Sequence, residues 1–352
     1  MDRRSLLALP VSATLAATLA VGGCGSSQAG PGPEPDRARV VSARVPAARP
    51  DPSVRVLAIS VDGLNPAALT KLGAKRLPHF YRLIRHGAST LNARTEYEQN
   101  VTLPNHTGMM TGRRITASQG GHGVTWDDDR PRMTVAKAAG HFVSSVFTVV
   151  HRAGGTTALF STKPKFRLYD RSWPVAITRF HVDTAQTALV RSAVRDLVTK
   201  QRPFTFLHVS LPDQAGHAYG GMSARYLTAV RRTDAQLGLV LTALDRHPAL
   251  KRRTVVILTA DHGFLKGSHS HTPRVYADYR VPFVVWGKGV AKGRDLYALN
   301  PAYQRPGTRR PTYAPARQPV RNGDVADLAL DLLGLRPVPG SILDRKQNLR
   351  VR

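Results

Sequence analysis

"VRVLAIS" at residues 54–60 is a continuous apolar run that leads directly into "VDG" at 61–63. A run of this kind is typical of a strand that is buried on both faces, as in a parallel sheet. Three more runs have the same character: "PFTFLHVSL" (203–211), "RTVVILTA" (253–260) and "VPFVVWG" (281–287).

Amphipathic stretches lie between these runs, with apolar residues at i, i+3 and i+4. The two longest are "AQTALVRSAVRDLVTK" (185–200) and "SARYLTAVRRTDAQLGLVLTALDRH" (223–247). Strands that alternate with helices predict the α/β class. We therefore expect a mainly parallel central sheet that is sandwiched by helices.

The composition is that of a globular protein with a strongly basic surface. Of 352 residues, 42% are hydrophobic and 21% are charged, and 51 Lys and Arg against 23 Asp and Glu give a net charge of +28. Such a surface attracts anions, which include nucleic acids, anionic lipids and phosphate-bearing substrates. Because no sustained Lys/Arg block with interleaved aromatic residues is present, we do not expect a specific nucleic-acid partner.

The first residues have the pattern of an export signal. Residues 1–24, "MDRRSLLALPVSATLAATLAVGGC", join a charged start to an apolar run and small residues. Arg3 and Arg4 fit a twin-arginine signal loosely, and "VGGC" resembles a bacterial lipobox. This pattern predicts that Cys24 is lipidated and that the protein is anchored on the outer face of the cytoplasmic membrane. A plain secretory signal with an incidental cysteine is the alternative.

A flexible linker is expected at residues 25–53, which are rich in Gly, Pro, Ala and Arg and show no apolar periodicity. The linker would hold the folded part clear of a membrane surface. Cys24 is the only cysteine, so no internal disulfide can form. No other apolar run is as long as a membrane-spanning helix, so we expect no other span.

Acidic residues follow three of the predicted strands. The first strand leads into Asp62, the second into Asp213 and the third into Asp261. The carboxyl ends of parallel strands form the edge where ligands bind in α/β sheets. A single Asp there would be ordinary turn chemistry. Three of them, two with histidines close by, predict a ligand site.

The spacing around these residues favours metal binding. "DQAGH" places Asp213 and His217 four residues apart, so a helix would present both to one ion, although Gly216 counts against that helix. Asp261 and His262 are adjacent in "DHG", where each can reach a different ligand position.

Two more histidines follow in "KGSHSH", His269 and His271. Carboxylates and imidazoles in such numbers predict two zinc ions rather than calcium or magnesium, with manganese or iron as alternatives. The remaining histidines, which include His106 and His208, lack this clustering, so we expect them at packed or surface positions.

"VTLPNHTGMMTGRR" at residues 101–114 places Thr102 before a run that can be helical. Pro104 is tolerated in a first helical turn, so Thr102 can be the N-cap, where free backbone N–H groups also receive a phosphoryl group. Coordination to zinc would make its hydroxyl an available nucleophile. Asn105 could donate a hydrogen bond to a phosphoryl oxygen. An ordinary helix cap is the alternative for Thr102.

"ISVDGLNP", "TLPNHTGMMTG", "SLPDQAGHAYG", "LTADHGF" with "SHS", and "VPFVVWGKGV" occur in this order. Together they resemble the alkaline phosphatase superfamily, specifically its nucleotide pyrophosphatase/phosphodiesterase (type I phosphodiesterase) branch. The resemblance covers residues 54–345. It implies an alkaline-phosphatase-like fold, a single catalytic domain over 54–352, and two zinc ions on the α/β core.

The resemblance also assigns ligands to each ion. One ion would be held by Asp62, Thr102, Asp261 and His262. The other would be held by Asp213, His217 and His269, with His271 as the alternate because family members often have an acidic residue at that position. Asn105 would match the phosphate-binding asparagine of the branch.

Some positions depart from the family pattern. Phe264 follows "DHG", where relatives often have Gly or Met. In "GHGVTWDDDR" (121–130), Trp126 is the expected aromatic contact to substrate, and Asp127–Asp129 would repel a nucleotide triphosphate if they faced the site. Thr102-Leu103-Pro104 lacks the oxidisable residue and the arginine of sulfatases.

The resulting expectation is a metal-dependent phosphoester hydrolase, a phosphodiesterase or nucleotide pyrophosphatase that works through a phosphothreonine on Thr102. Its substrate would be a small-molecule or polymer phosphoester. The alternatives are a phosphomonoesterase or phosphonate hydrolase on the same scaffold, and an inactive envelope lipoprotein that binds anionic polymers.

Overall fold

The structure is a computed structural model, and it describes residues 48–352. The signal at 1–24, with Cys24, lies outside the described residues, as does the linker up to residue 47. At the described end of the linker, the Asp51 N–H donates a hydrogen bond to the Leu333 carbonyl at 2.9 Å. In residues 48–352, none of the helices combines the length with the hydropathy that a membrane span requires.

A single eight-stranded sheet forms the centre of the described part of the chain. The strands are β1 (Arg55–Val61), β2 (Gly87–Arg94), β3 (Thr157–Ser161), β4 (Arg179–Val182), β5 (Phe204–Val209), β6 (Thr254–Thr259), β7 (Arg280–Gly287) and β8 (Arg294–Asp295). Their spatial order is β4-β3-β5-β1-β6-β7-β2-β8. All neighbouring pairs are parallel except those that β7 makes with β6 and β2.

The predicted fold class is confirmed. The four apolar runs of the sequence form β1, β5, β6 and β7, and nearly every residue in them is buried because both faces of the sheet are covered. Strand β7 runs against its neighbours, which an apolar run cannot reveal, since burial on both faces occurs in either direction.

The helices are α1 (Pro66–Arg76), α2 (Pro78–Arg85), α3 (Thr102–Thr111), α4 (Val135–Ala139), α5 (Val146–Arg152), α6 (Arg167–Ser172), α7 (Gln186–Lys200), α8 (Leu211–Tyr219), α9 (Ala224–Arg246), α10 (Pro248–Lys251), α11 (Tyr276–Tyr279), α12 (Leu296–Leu299) and α13 (Val325–Leu332). They cover the sheet in two groups of contacting elements, one with α1, α2, α7, α8 and α9 and one with α3, α5 and α13. The two predicted amphipathic helices are confirmed as α7 and α9. Short 3₁₀ turns occur at 117–119, 164–166 and 322–324.

The carboxyl ends of β5, β1 and β6 meet at one edge of the sheet, because these strands are parallel and adjacent. Asp62 follows β1, Asp261 lies two residues beyond β6, and α8 begins just after β5 and carries Asp213. Gly63 allows the close approach of β1 to α8: its φ is +72°, and a Cβ there would lie 2.8 Å from the Cα of Asp213.

Helix α8 forms despite Gly216, because this glycine faces a buried ring. A Cβ at Gly216 would lie 2.7 Å from the ring of Phe264, which is fully buried. The position therefore needs a residue without a side chain, and the helix is stabilised by this packing rather than by local propensity.

Gly216→Ala is accordingly expected to lower the free energy of unfolding. The overpacking cost exceeds the gain in helix propensity, which leaves a net loss of about 1–2 kcal/mol. Urea unfolding measures this change. The double variant Gly216→Ala/Phe264→Leu is the matched control and should recover most of the loss. If Gly216→Ala alone were as stable as the wild type, the packing argument would be contradicted.

Candidate active site

Three carboxylates converge at the edge of the sheet around one lysine. The Nζ of Lys163 lies 2.6 Å from Asp62 Oδ2 and 2.6 Å from Asp213 Oδ2. The same ammonium is 3.3 Å from the hydroxyl oxygen of Thr102. Asp261 Oδ1 accepts a hydrogen bond from the Gly63 N–H at 3.1 Å. The residues that follow three separate strands therefore meet at one point, as the strand-end pattern predicted.

His262 lies between these carboxylates. Its Nε2 is 3.3 Å from Asp62 Oδ1, 3.2 Å from Asp261 Oδ2 and 3.7 Å from Asp213 Oδ1. Within residues 48–352, two sets of ligand atoms are close enough to hold a metal ion: Asp62, Asp261 and His262, and Asp213, His262 and His271. All members of both sets are buried, and His262 belongs to both.

The unsatisfied polar atoms fit a metal site. Asp62 Oδ1, Asp213 Oδ1, Asp261 Oδ2 and His262 Nε2 are buried and have no hydrogen-bond partner in the described part of the chain. Buried polar groups are normally satisfied, and carboxylate oxygens with an imidazole nitrogen form the donor set that zinc accepts. These residues therefore fit one or two divalent cations.

The pKa values of Asp213, Asp261 and His262 are shifted because buried carboxylates lie close together around Lys163 and His262. Burial and the charge of Asp62 raise the pKa of Asp261 to about 8. Burial and Asp62 also act to raise the pKa of Asp213, but Lys163 and His217 outweigh them and bring it to about 2. Burial lowers the pKa of His262, yet Asp261 and Asp62 raise it to about 9. A bound cation would relieve the same repulsion between the carboxylates.

Thr102 is the first residue of α3, and the N-cap is Val101. The prediction that Thr102 is the N-cap is therefore wrong by one position, because Val101 still has extended backbone angles. The hydroxyl nevertheless faces the cluster. The Leu103 N–H, which has no acceptor within the helix, donates to Asp127 Oδ1 at 2.9 Å. The N-terminus of α3 therefore already binds an anionic group.

Asn105 lies behind the site and is completely buried. Its Nδ2 donates to the backbone carbonyls of Gln99 at 2.8 Å and Val101 at 3.0 Å, and its Oδ1 accepts from the Glu96 N–H at 2.9 Å. Both amide hydrogens are thus used within the protein. This geometry makes Asn105 a residue that fixes the start of α3, and it leaves no donor for a phosphoryl oxygen.

The two late histidines occupy different positions. His271 is buried, its Nε2 is 3.9 Å from Asp213 Oδ1, and its ring stacks on His262 with centroids 3.4 Å apart. His269 is exposed, and its Nδ1 is 2.8 Å from the carbonyl oxygen of His217. His217 Nε2 lies 3.3 Å from Asp213 Oδ1, with its side chain 49% exposed. We therefore propose His271, the alternate, as the ligand in place of His269.

The two histidines can be separated by substitution. His271→Ala is expected to lower the bound metal by about one equivalent per chain, because a three-residue ligand set loses one member. His269→Ala is the matched control on the same loop and should keep the wild-type metal content. Metal analysis of the dialysed proteins by mass spectrometry measures both. The reverse pattern would restore His269 as the ligand.

The acidic stretch beside Trp126 does not face the site as a group. Asp127 pairs with Lys165 at 2.7 Å, Asp129 with Arg171 at 2.6 Å, and Asp128 with Arg130 at 3.0 Å. Only Asp127 therefore approaches the start of α3. Trp126 is 8% exposed and the Arg130 guanidinium lies over its ring at 4.9 Å, so its contact to substrate stays a prediction.

Two residues of the site were missed from the sequence. Lys163 lies in "KPK", which gives no signal because lysines beside proline are usual in surface turns. His208 is expected at a packed or surface position, yet its Nε2 is 2.9 Å from Asp62 Oδ2 and its Nδ1 is 3.0 Å from Ser161 Oγ. A hydrogen bond of this kind orients a metal-binding carboxylate. The sequence signal for His208 was its position inside an apolar run that forms the fully buried strand β5.

Comparison with known proteins gives a family and a fold. The sequence profile described as type I phosphodiesterase / nucleotide pyrophosphatase matches residues 56–317. Murine ectonucleotide pyrophosphatase/phosphodiesterase 5, solved in an inactive form in complex with AMP, has a TM-score of 0.61 at 15% identity, over 81% of this chain and 96% of that chain. The lipoteichoic acid synthase LtaP from Listeria monocytogenes has a TM-score of 0.58 at 12% identity, over 84% and 76%. The fold is alkaline-phosphatase-like.

Curated relatives match shorter segments. GPI ethanolamine phosphate transferase 1 of Saccharomyces cerevisiae is 29% identical over 137 residues, which are 39% of this chain and 14% of the transferase. Human ectonucleotide pyrophosphatase/phosphodiesterase family member 1 is 36% identical over 69 residues, which are 19% of this chain and 7% of that protein. The chain therefore covers only a small part of the length of these curated relatives.

Proposed function

Because the chain belongs to the type I phosphodiesterase / nucleotide pyrophosphatase family, we propose that it is a metal-dependent hydrolase of phosphodiesters or nucleotide pyrophosphates. The observation that carries the proposal is the convergence of Asp62, Asp213, Asp261 and His262, each with an unsatisfied buried atom. The Lys163 ammonium joins this cluster to the hydroxyl of Thr102, which lies 3.3 Å from it. A nucleotide is a suitable substrate class, since the similar murine fold is described in complex with AMP.

Two zinc ions are the proposed cofactor, with manganese or iron as alternatives. Asp62, Asp261 and His262 would hold one ion, and Asp213, His262 or His217, and His271 would hold the other. When bound, the ions would polarise the phosphoryl oxygens and lower the pKa of the threonine hydroxyl.

Thr102 is the proposed nucleophile. Its Oγ1 attacks phosphorus in line with the leaving oxygen, the bond to the leaving group breaks, and a phosphothreonine forms. Water then attacks the same phosphorus, the threonine oxygen leaves, and phosphate monoester is released. The start of α3 fixes Thr102 during both steps, because Asn105 and Asp127 hold the backbone on either side of it.

Hydrolysis of bis-p-nitrophenyl phosphate compared with p-nitrophenyl phosphate tests this function. We expect preference for the diester, loss of activity with a chelator, and recovery when zinc is restored. Thr102→Ala protein purified in the same way controls for contaminating phosphatases. Preference for the monoester would favour the phosphomonoesterase alternative. No turnover of either substrate in the zinc-loaded protein would favour the anionic-polymer-binding lipoprotein.

A phosphotransferase is the second candidate, and the curated relatives favour it. Ethanolamine phosphate transferase 1 from yeast matches this chain over 137 residues. In a transferase the phosphothreonine would be resolved by an acceptor alcohol, whose oxygen bonds to phosphorus while its proton passes to the departing threonine oxygen. Adding ethanolamine or glycerol to the diester assay separates the two outcomes. ³¹P NMR would then show the phosphorylated acceptor instead of the hydrolysis product.

We further propose that the protein is exported and anchored through a lipid on Cys24. The signal pattern of residues 1–24 and the single cysteine support this. Fractionation of cells that express the full chain tests it: the wild type should sediment with membranes, and Cys24→Ser should not. Equal sedimentation of the two proteins would contradict the anchor.

A further inference from the structure

We propose that Lys163 binds a non-bridging phosphoryl oxygen of the substrate, a role that the sequence pattern predicts for Asn105. This inference rests on the proposed function, since it concerns the same phosphoryl group. The ammonium of Lys163 lies 3.3 Å from Thr102 Oγ1 and 2.6 Å from both Asp62 and Asp213. A cation at that point faces the atom that would attack phosphorus.

The backbone at Lys163 is held firmly, so its side chain reaches this point from a fixed origin. The Lys163 N–H donates to Ser161 Oγ at 3.0 Å, and Pro164 begins a 3₁₀ turn directly after it. Phe166, the last residue of that turn, is fully buried, with its ring against His208 at a centroid distance of 4.3 Å. The Lys163 side chain is 15% exposed.

The lysine and divalent cations use the same carboxylates. Asp62 and Asp213 each have one oxygen on Lys163 and one buried oxygen with no partner. Cations bound to these carboxylates would take over their negative charge, and the ammonium would lose the attraction that holds it there. Thr102 Oγ1, 3.3 Å away, and an oxygen of a phosphoryl group attached to that atom would then be acceptors within its reach.

Formal charge also favours this role. Two divalent cations on three carboxylates leave one positive charge, and Lys163 makes it two. A phosphodiester carries one negative charge, and attack by a deprotonated threonine produces a transition state with two. Lys163 would therefore balance the charge that develops during the reaction, which is where electrostatic stabilisation raises the rate.

Three other donors near the start of α3 are already used within the protein. Asn105 has both amide hydrogens on backbone carbonyls, and the Leu103 N–H donates to Asp127. Lys165, on the same 3₁₀ turn, pairs with Asp127 at 2.7 Å. The competing explanation is that Lys163 only neutralises the carboxylates when they hold no cation. That explanation predicts no effect on an anion bound to the metal-loaded protein.

Binding of orthovanadate, a phosphoryl analogue, to the zinc-loaded protein distinguishes the two explanations by calorimetry. Lys163→Met is expected to weaken vanadate binding by about 10–100-fold, because one charge-assisted hydrogen bond is lost. Zinc binding to this variant, titrated without vanadate, should be as tight as in the wild type or tighter. Lys200→Met, at the exposed end of α7, is the control and should match the wild type in both titrations.

Vanadate affinity within twofold of the wild type in Lys163→Met would overturn the proposal, and so would loss of zinc from that variant. If Lys163→Met does not fold, Lys163→Gln provides the same comparison, and Lys163→Arg should keep most of the vanadate affinity. The proposed function fails separately, when the wild-type protein hydrolyses no phosphodiester. A wild type that is active, paired with a Lys163→Met variant that binds vanadate normally, removes only the role of Lys163.

Discussion

Thr102→Ala is expected to lower phosphodiester turnover by on the order of 10⁴-fold, because only binding and electrostatic stabilisation remain once the nucleophile is lost. Its metal content should stay at the wild-type level, since the carboxylates, His262 and His271 of the two ligand sets are all retained in this variant. Steady-state kinetics and metal analysis of the same preparation measure the two effects.

Thr102→Ser is the matched control, since it retains a hydroxyl at the start of α3. We expect it to keep a substantial part of the activity and to form a covalent phosphoryl adduct. Rapid acid quenching followed by peptide mass spectrometry should find the adduct on residue 102 in the wild type and in this variant, and on no residue in Thr102→Ala. If the Thr102→Ala variant kept near wild-type turnover, Thr102 would not be the nucleophile.

Asp62→Asn is expected to have the second largest effect, a fall in activity on the order of 10³-fold. The carboxylate is fully buried, with one oxygen between Lys163 and His208 and the other unsatisfied beside His262. An amide binds a divalent cation far more weakly, and the loss of the cation removes several kcal/mol of transition-state stabilisation. Metal content should fall by about one equivalent per chain.

Asp245→Asn serves as the control for this variant. Asp245 is also paired with two cations, Arg82 at 2.7 Å and Lys251 at 2.8 Å, but it is partly exposed and lies at the end of α9. The Asp245→Asn variant should bind metal and turn over substrate like the wild type. Asp62→Asn protein that keeps its full metal content would remove Asp62 from the ligand set.

The part of the site that could be predicted from the sequence is the part that follows strand ends. Asp62, Asp213 and Asp261 come after buried apolar runs, and parallel strands bring such positions together whatever the loops between them do. The sheet class could be predicted for the same reason. The direction of β7 could not, because an apolar run is the same in both directions.

Residues on loops were harder to place. His269 and His271 are two positions apart in "SHSH" (268–271), and only the path of the loop decides which of them turns inward. Asn105 has the right chemistry for a phosphoryl contact, but its amide is used by the backbone of Gln99 and Val101. Lys163 carries no local signal at all, since its position depends on a turn between β3 and α6.

All ten residues of α3 are buried, and this has a consequence for how the protein loses activity when it is heated. The helix packs against α5, α13 and the 3₁₀ turn at 322–324, so its first residue cannot open to solvent by fraying alone. Segments buried in this way open only with the whole domain. Thermal inactivation and the cooperative melting of the domain should therefore coincide, with no inactive but folded species between them.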